Sequence, residues 1–97
     1  MPITLRTRED YDRAFAAVRA VIHAWDPHDL IHMGAPADEW DDEIARLVTK
    51  VATIHSADEA ARAVSEVFSE AFSPAEFTPM HCAEVGERLY EALRALE

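Results

Sequence analysis

The clearest helix signal in the chain is the segment S-A-D-E-A-A-R-A-V-S-E-V-F-S-E-A-F, residues 56–72. Ser56 followed by Glu59 forms a capping box, in which both side chains accept hydrogen bonds from backbone N–H groups at the helix start. Apolar residues then recur at spacings of three and four, as one buried helical face requires. They are Ala60, Ala61, Val64, Val67, Phe68, Ala71 and Phe72. The pattern predicts a helix that Ser73 and Pro74 end.

Three further segments have the same period. The first predicts a helix over about 8–25, capped by Thr7 and ended by Pro27. The second predicts a helix over about 39–54. The third predicts a helix that starts at Thr78-Pro79, with proline at the first helical position. Their apolar stripes are Tyr11, Ala14, Phe15, Val18, Val21, Ile22 and Trp25; then Trp40, Ile44, Leu47, Val48, Val51 and Ile54; then Cys82, Ala83, Gly86, Leu89, Tyr90, Leu93 and Leu96.

No segment alternates with the period of a strand. The sequence therefore predicts an all-α fold: one four-helix, bundle-like domain over residues 1–97, with an ordered loop or short helix between its first two helices. Residues 73–78 are long enough for one helical turn, with Phe77 pointing inward. Gly86 lies on an apolar stripe, which predicts that another helix comes close there. Cys82 is expected to be a small core residue.

Composition narrows the classes of function. The chain has 97 residues and a net charge of −10, which argues against direct binding of nucleic-acid phosphates. One cysteine excludes an intramolecular disulfide framework and a cysteine-rich zinc module. The longest uncharged stretch is too short to cross a membrane, and the amino terminus has no secretory leader pattern. We therefore expect a cytoplasmic protein in which Cys82 is a reduced thiol, with no membrane partner.

The negative charge is concentrated in one segment. Residues 26–43 carry seven acids and no base. Five of these acids, Asp38, Glu39, Asp41, Asp42 and Glu43, form what we call the acidic cluster. One interpretation is a solvated helix start, since acids are stabilised near the positive end of the helix dipole. The other is a surface for a basic partner.

The same region holds a distinctive motif. It is carried by Trp25, Asp26, Pro27, Leu30, Ile31, Gly34, Pro36, Asp38, Glu39, Trp40 and Glu43. This pattern resembles the signature of the YugE-like family, small bacterial proteins grouped as a domain of unknown function. In that family the aromatic residue after Asp-Glu, here Trp40, is more often Tyr. The resemblance implies an all-helical fold and no established reaction, so it supplies no catalytic residues.

Most motif residues also have a structural interpretation. Asp26 and Pro27 predict the cap and first turn of a short helix carrying Leu30 and Ile31. Gly34 permits a turn that a Cβ would obstruct, and Pro36 stiffens the entry into the second helix. Asp38 is expected to cap that helix, with Asp41 reaching back. Trp25 and Trp40 close the two ends of this connection.

Catalytic and metal-binding patterns are weak. His28 and His32 are four residues apart and share a face if helical, so with Asp26 or Asp29 they are a candidate divalent-metal site, although surface histidines are the simpler interpretation. His81 and Cys82 are adjacent, which is poor geometry for a base and a nucleophile. No serine lies in a nucleophile motif and no phosphate-binding glycine loop is present. We therefore expect neither an enzyme nor a cofactor.

The leading hypothesis is a non-catalytic protein-binding module, in concrete form an immunity protein that covers the basic cleft of a toxin or nuclease. Its binding residues would be the acidic cluster and Asp29, with Trp40 and Trp25 as aromatic anchors. The first alternative is a YugE-like housekeeping protein that acts as a homo-oligomer or regulator. The second is a metal-binding protein or metal-dependent enzyme that uses His28 and His32.

Overall fold

The computed structural model describes residues 6–27, 33–34, 36, 38–72 and 77–96. These residues form four α-helices and one 3-10 helix, and none of them lies in a strand. The α-helices are α1 (Arg8–Trp25), α2 (Asp41–Thr49), α3 (Ala57–Ala71) and α4 (Ala83–Arg94), and the 3-10 helix is Val51–Thr53. The predicted all-helical fold is confirmed.

Capping residues fix the starts of α1 and α3. Thr7 Oγ1 accepts a hydrogen bond from the Asp10 backbone N–H at 3.1 Å, and Ser56 Oγ accepts one from Glu59 N–H at 3.2 Å. In α3 the return bond comes from His55 N–H to Glu59 Oε1 at 3.0 Å, one residue before the cap. Both helix starts agree with the prediction from the capping motifs.

The second helix is shorter than the predicted range of 39–54. The chain turns through Asp38–Trp40, and α2 begins only at Asp41. After Thr49 the backbone tightens, because Lys50 N–H bonds Leu47 O at 2.9 Å, three residues back. The hydroxyl of Thr49 donates to Arg46 O at 2.6 Å and occupies a carbonyl near the end of the helix. Val51 and Ile54 remain buried in the tighter turn.

The last helix also begins later than predicted. Thr78 Oγ1 does accept a hydrogen bond from His81 N–H at 3.3 Å, as a cap would. Cys82 N–H then bonds Thr78 O at 3.1 Å, which closes a single turn. The α-helix itself starts at Ala83, so Thr78 and Pro79 initiate that preceding turn. Ala83, placed on the apolar stripe by its period, is exposed.

One hydrophobic core joins the four helices. Helix α3 packs on α2 and α4, and α1 packs on the same two helices. Phe68 is fully buried, and four other aromatic rings surround it. Its ring centroid lies 5.2 Å from Trp25, 5.4 Å from Phe77 and 5.7 Å from Trp40. Phe72 completes the group at 6.1 Å.

Besides Ala83, three residues of the predicted apolar stripes are exposed. Ala71 is exposed, Phe72 retains 43% of its accessible surface, and Tyr11 retains 38%. Ala71 and Phe72 lie where α3 ends and Tyr11 lies in the first turns of α1, so neighbouring helices cover them only in part. Phe77, in contrast, is buried as predicted.

Candidate partner-binding surface

The acidic cluster lies at the amino-terminal end of α2. Asp41, Asp42 and Glu43 occupy the first turn of the helix, and Asp38 and Glu39 precede it. Asp38, Glu39 and Asp42 are exposed, whereas Asp41 and Glu43 are partly buried. All five carboxylates therefore lie within two turns of chain at the positive end of a helix dipole, which stabilises part of their charge.

Only Asp41 has an ion-pair partner among the described residues of the cluster. Its Oδ1 lies 3.6 Å from Nε of Arg19 on α1, and both side chains are more than one third exposed. Arg19 Nε also donates to His23 Nε2 at 3.4 Å. The repulsion within the cluster is therefore relieved at one point by a base that lies far away in sequence, a contribution that local charge counting missed.

Trp40 lies in the core and not on the surface expected for a binding anchor. Its side chain is fully buried, and its ring contacts Phe68 and Phe72 at centroid distances of 5.7 and 5.5 Å. The indole N–H donates to Asp26 Oδ1 at 3.3 Å. Burial removes the large apolar ring from water, and the hydrogen bond gives the indole N–H a partner. In this fold Trp40 therefore anchors the segment of the acidic cluster to the core.

The predicted capping of α2 by the side chain of Asp38 is wrong. Trp40 is the residue before α2 and makes no side-chain cap, and Asp38 contributes its backbone carbonyl to Asp41 N–H at 3.0 Å. Asp26 ends α1 in the left-handed conformation, with φ 41° and its N–H bonded to Ile22 O. A short polar side chain tolerates this conformation better than most. The predicted short helix beyond Pro27, which carries Leu30, Ile31 and the candidate Asp29, lies outside the described residues.

The other motif residues have structural positions. Trp25 is partly buried, and its ring packs edge-on against Phe77 with the ring centroids 5.9 Å apart, so it is part of the core packing. Pro27 is buried after the left-handed Asp26. Gly34 has φ 102° with open space where a Cβ would be, so its backbone conformation, and not crowding, requires glycine. Pro36 is exposed and its carbonyl accepts from Glu39 N–H at 3.0 Å.

Phe72 is the surface residue that sequence reasoning missed. It ends α3, and its ring lies 5.5 Å from Trp40, the residue between Glu39 and Asp41. Through this contact the half-exposed ring of Phe72 touches the segment that carries the acidic cluster. The available signal was its place at the end of the α3 stripe, just before Ser73 and Pro74. Side chains at such a position have neighbours on one side only.

The remaining candidate residues are His28, His32 and Cys82. The described residues contain no group of three or more histidine, cysteine or acidic side chains arranged to hold a metal. His28 and His32 lie outside them. Cys82 is fully buried and free, and burial raises the pKa of its thiol to about 11, which disfavours a reactive thiolate. Among the described helices, none is long and apolar enough to cross a membrane.

These features define a small all-helical domain with an acidic surface cluster. A family model described as "Domain of unknown function (DUF1871)" matches residues 17–94. The chain belongs to this family. The matched range contains the whole acidic cluster and the aromatic core around Phe68. Searches of curated proteins and of solved structures found no match.

Proposed function

We propose that this domain is a non-catalytic protein-binding module for a basic partner. In its concrete form it is an immunity protein, which covers the basic active-site cleft of a toxin or nuclease and so blocks access to it. The binding surface consists of Asp38, Glu39, Asp42 and Glu43 together with the exposed face of Phe72.

One observation carries this proposal. The side chains of Asp38, Glu39, Asp42 and Glu43 make no ion pair with any described residue, although nine bases are present in the chain. Some exposed acids elsewhere are paired, such as Glu66 with Lys50 at 3.3 Å and Glu84 with Arg88 at 2.7 Å. Others, such as Glu87 and Glu91, are also without an ion pair among the described residues, but they are not crowded together as the four cluster acids are within residues 38–43. A cluster that retains its charge is suited to an external basic surface.

The support beneath the cluster favours rapid and specific binding. Buried Trp40 fixes the segment through its contacts with Phe68 and Asp26, so little ordering accompanies association. Exposed carboxylates attract a basic partner over a distance and raise the association rate at low salt. The ring of Phe72, which is 43% exposed, provides an aromatic contact that loses its water on binding, the role that sequence reasoning gave to Trp40.

Two narrower assignments accompany the proposal. The motif from Trp25 to Glu43 supports the narrower proposal that the chain is a YugE-like bacterial protein within the wider family. Free, buried Cys82 fits a reducing cytoplasm. A housekeeping role as a homo-oligomer or regulator remains the alternative of a different class.

A pair of charge variants tests the binding surface. The chain is first used to capture a partner from the native organism, and that partner is identified and purified. Asp38→Asn/Asp42→Asn should slow association with it by about tenfold at low salt, because electrostatic steering scales with the local charge. Stopped-flow kinetics at several sodium chloride concentrations measure the rate, and the wild-type rate should fall steeply as salt is added.

The matched control is Glu87→Gln/Glu91→Gln, which removes the same charge from exposed sites on α4. This control should retain nearly the wild-type rate. Equal slowing by both variants would mean that total charge and not the cluster governs association. An acidic captured partner, or a rate indifferent to salt, would contradict the proposal.

A further inference from the structure

A shallow groove of about 360 Å³ runs along the outer side of α1, and it borders the acidic cluster at Arg19, whose Nε lies 3.6 Å from Asp41 Oδ1. Its described lining is Asp12, Phe15, Ala16, Arg19, Ala20 and His23. Ala16, Ala20 and Ala24 are exposed although they occupy three successive turns of the longest helix. Exposed Tyr11 extends the apolar surface at one end.

We propose that this face of α1 is the interface of a homodimer, in which the α1 helices of two copies pack antiparallel about a twofold axis. The occupant of the groove is thus a second copy of this chain. A twofold interface requires a surface that complements itself. Pairing of the two helices about a point between Ala17 and Val18 meets this requirement.

Side-chain size is complementary in this register. Arg19 of one copy faces Ala16 of the other, so a large side chain meets an alanine, and the same contact is repeated on the other side of the axis. Phe15 and Ala20 flank this contact on the two edges of the helix face. Helices can approach closely where small residues lie opposite large ones.

Charge is complementary in the same register. Asp12 faces His23 of the other copy, one turn from that copy's Arg19. Because an arginine can only donate, the bond from Arg19 Nε assigns His23 Nε2 as an acceptor. The other ring nitrogen, Nδ1, then carries a proton and can donate to the carboxylate of Asp12.

The charge of the whole chain favours this face over the others. Helix α1 carries Arg8, Arg13 and Arg19 against Glu9, Asp10 and Asp12, so its net charge is zero. The complete chain carries −10. Two copies repel each other least where their surfaces are neutral. A single helix pair buries less than the ~800 Å² per partner of a standard interface, so we expect dissociation constants on the order of micromolar.

Sedimentation velocity over a wide range of protein concentration tests the proposal. The wild-type chain should shift from 10.9 kDa toward twice that mass as concentration rises. Ala20→Glu fills the groove with a charged side chain and should remain monomeric. Ala83→Glu adds the same side chain at an exposed position on α4 and should dimerise like the wild type. Circular dichroism verifies that both variants keep their helices.

A charge exchange tests the register. Asp12→Lys places a cation opposite His23 and Arg19 of the other copy, so it should raise the dissociation constant at least about tenfold. Adding His23→Glu to the same chain should recover most of that loss. A wild-type chain that stays at 10.9 kDa would overturn the proposal. So would equal effects of Ala20→Glu and Ala83→Glu, or a double variant no better than Asp12→Lys alone.

Discussion

Gly86 is the residue at which α4 comes closest to α3. A Cβ built on it would lie 2.6 Å from both the backbone nitrogen and Cα of Ala61. Such contacts are far inside van der Waals distance, and the atoms they involve are backbone atoms that cannot rotate away. The sequence predicted this close approach from one glycine on an apolar stripe, because glycine otherwise weakens a helix.

Gly86→Ala should therefore destabilise the domain despite the better helix propensity of alanine. The propensity gain is about 1 kcal/mol, whereas overpacking costs about 1–3 kcal/mol. Because the clash involves backbone atoms at 2.6 Å, the cost should lie in the upper part of that range. We therefore expect a net loss of about 1–2 kcal/mol in the free energy of unfolding, measured by urea denaturation. Glu87→Ala, at the exposed neighbouring position, should change it by less than about 0.5 kcal/mol. A Gly86→Ala chain as stable as the wild type would mean that the helices are farther apart.

At the scale of one element, α3 ends with two phenylalanines in different environments. Phe68 has no accessible surface, while Phe72 keeps 43% of its own. Phe68→Ala should cost about 3–5 kcal/mol by leaving a cavity among the aromatic rings. Phe72→Ala should cost roughly half as much or less, since part of its ring is already in water. Thermal unfolding of the two variants compares them. Equal losses would assign Phe72 to the core and remove it from the proposed binding surface.

The same helix illustrates what the sequence can and cannot predict. Its start, its apolar stripe and its length follow from Ser56, Glu59 and the spacing of the residues between them, which are all local signals. These local signals do not predict that Trp40 is buried while Phe72 is exposed. Both are aromatic residues at the end of an apolar stripe, and what covers Trp40 is Phe68 and Asp26, each more than a dozen residues away. Contacts of that range leave no trace in local periodicity.

The boundaries of α2 and α4 show a related limit. The apolar stripe continues through Val51, so periodicity extended α2 beyond its end at Thr49. For α4 the capping signal of Thr78 and Pro79 set the predicted start too early, because the helix begins at Ala83. Hydrogen bonds of Thr49 and Thr78 decide where the α-helical pattern stops or starts. The stripes predicted which residues are buried better than they predicted the backbone that carries them.

At the scale of the whole molecule, a net charge of −10 opposes folding. Acids concentrated at one end of α2 repel each other more in the compact chain than in the unfolded one, and dissolved salt screens this repulsion. Raising sodium chloride from 10 to 300 mM should therefore raise the Tm. A gain of about 1 kcal/mol would correspond to about 4–8 °C for a domain of this size.

Calorimetry at low protein concentration measures the shift without a contribution from self-association. The variant Asp38→Asn/Asp42→Asn should start with a higher Tm at 10 mM salt and gain less as salt is added. If instead salt lowers the Tm of the wild-type chain, ion pairs such as that of Arg19 and Asp41 outweigh the repulsion.

The buried thiol of Cys82 can report local opening of the fold. The side chain is sealed between helices, and its pKa of about 11 keeps it protonated at neutral pH. A thiol reagent can alkylate it only when α4 lifts from the core, so the labelling rate near pH 8 gives the frequency of that opening. The raised pKa has a consequence at the alkaline end as well. Since the folded state holds this proton more tightly than the unfolded state, its contribution to stability is complete below about pH 9 and is lost as the pH rises toward 11.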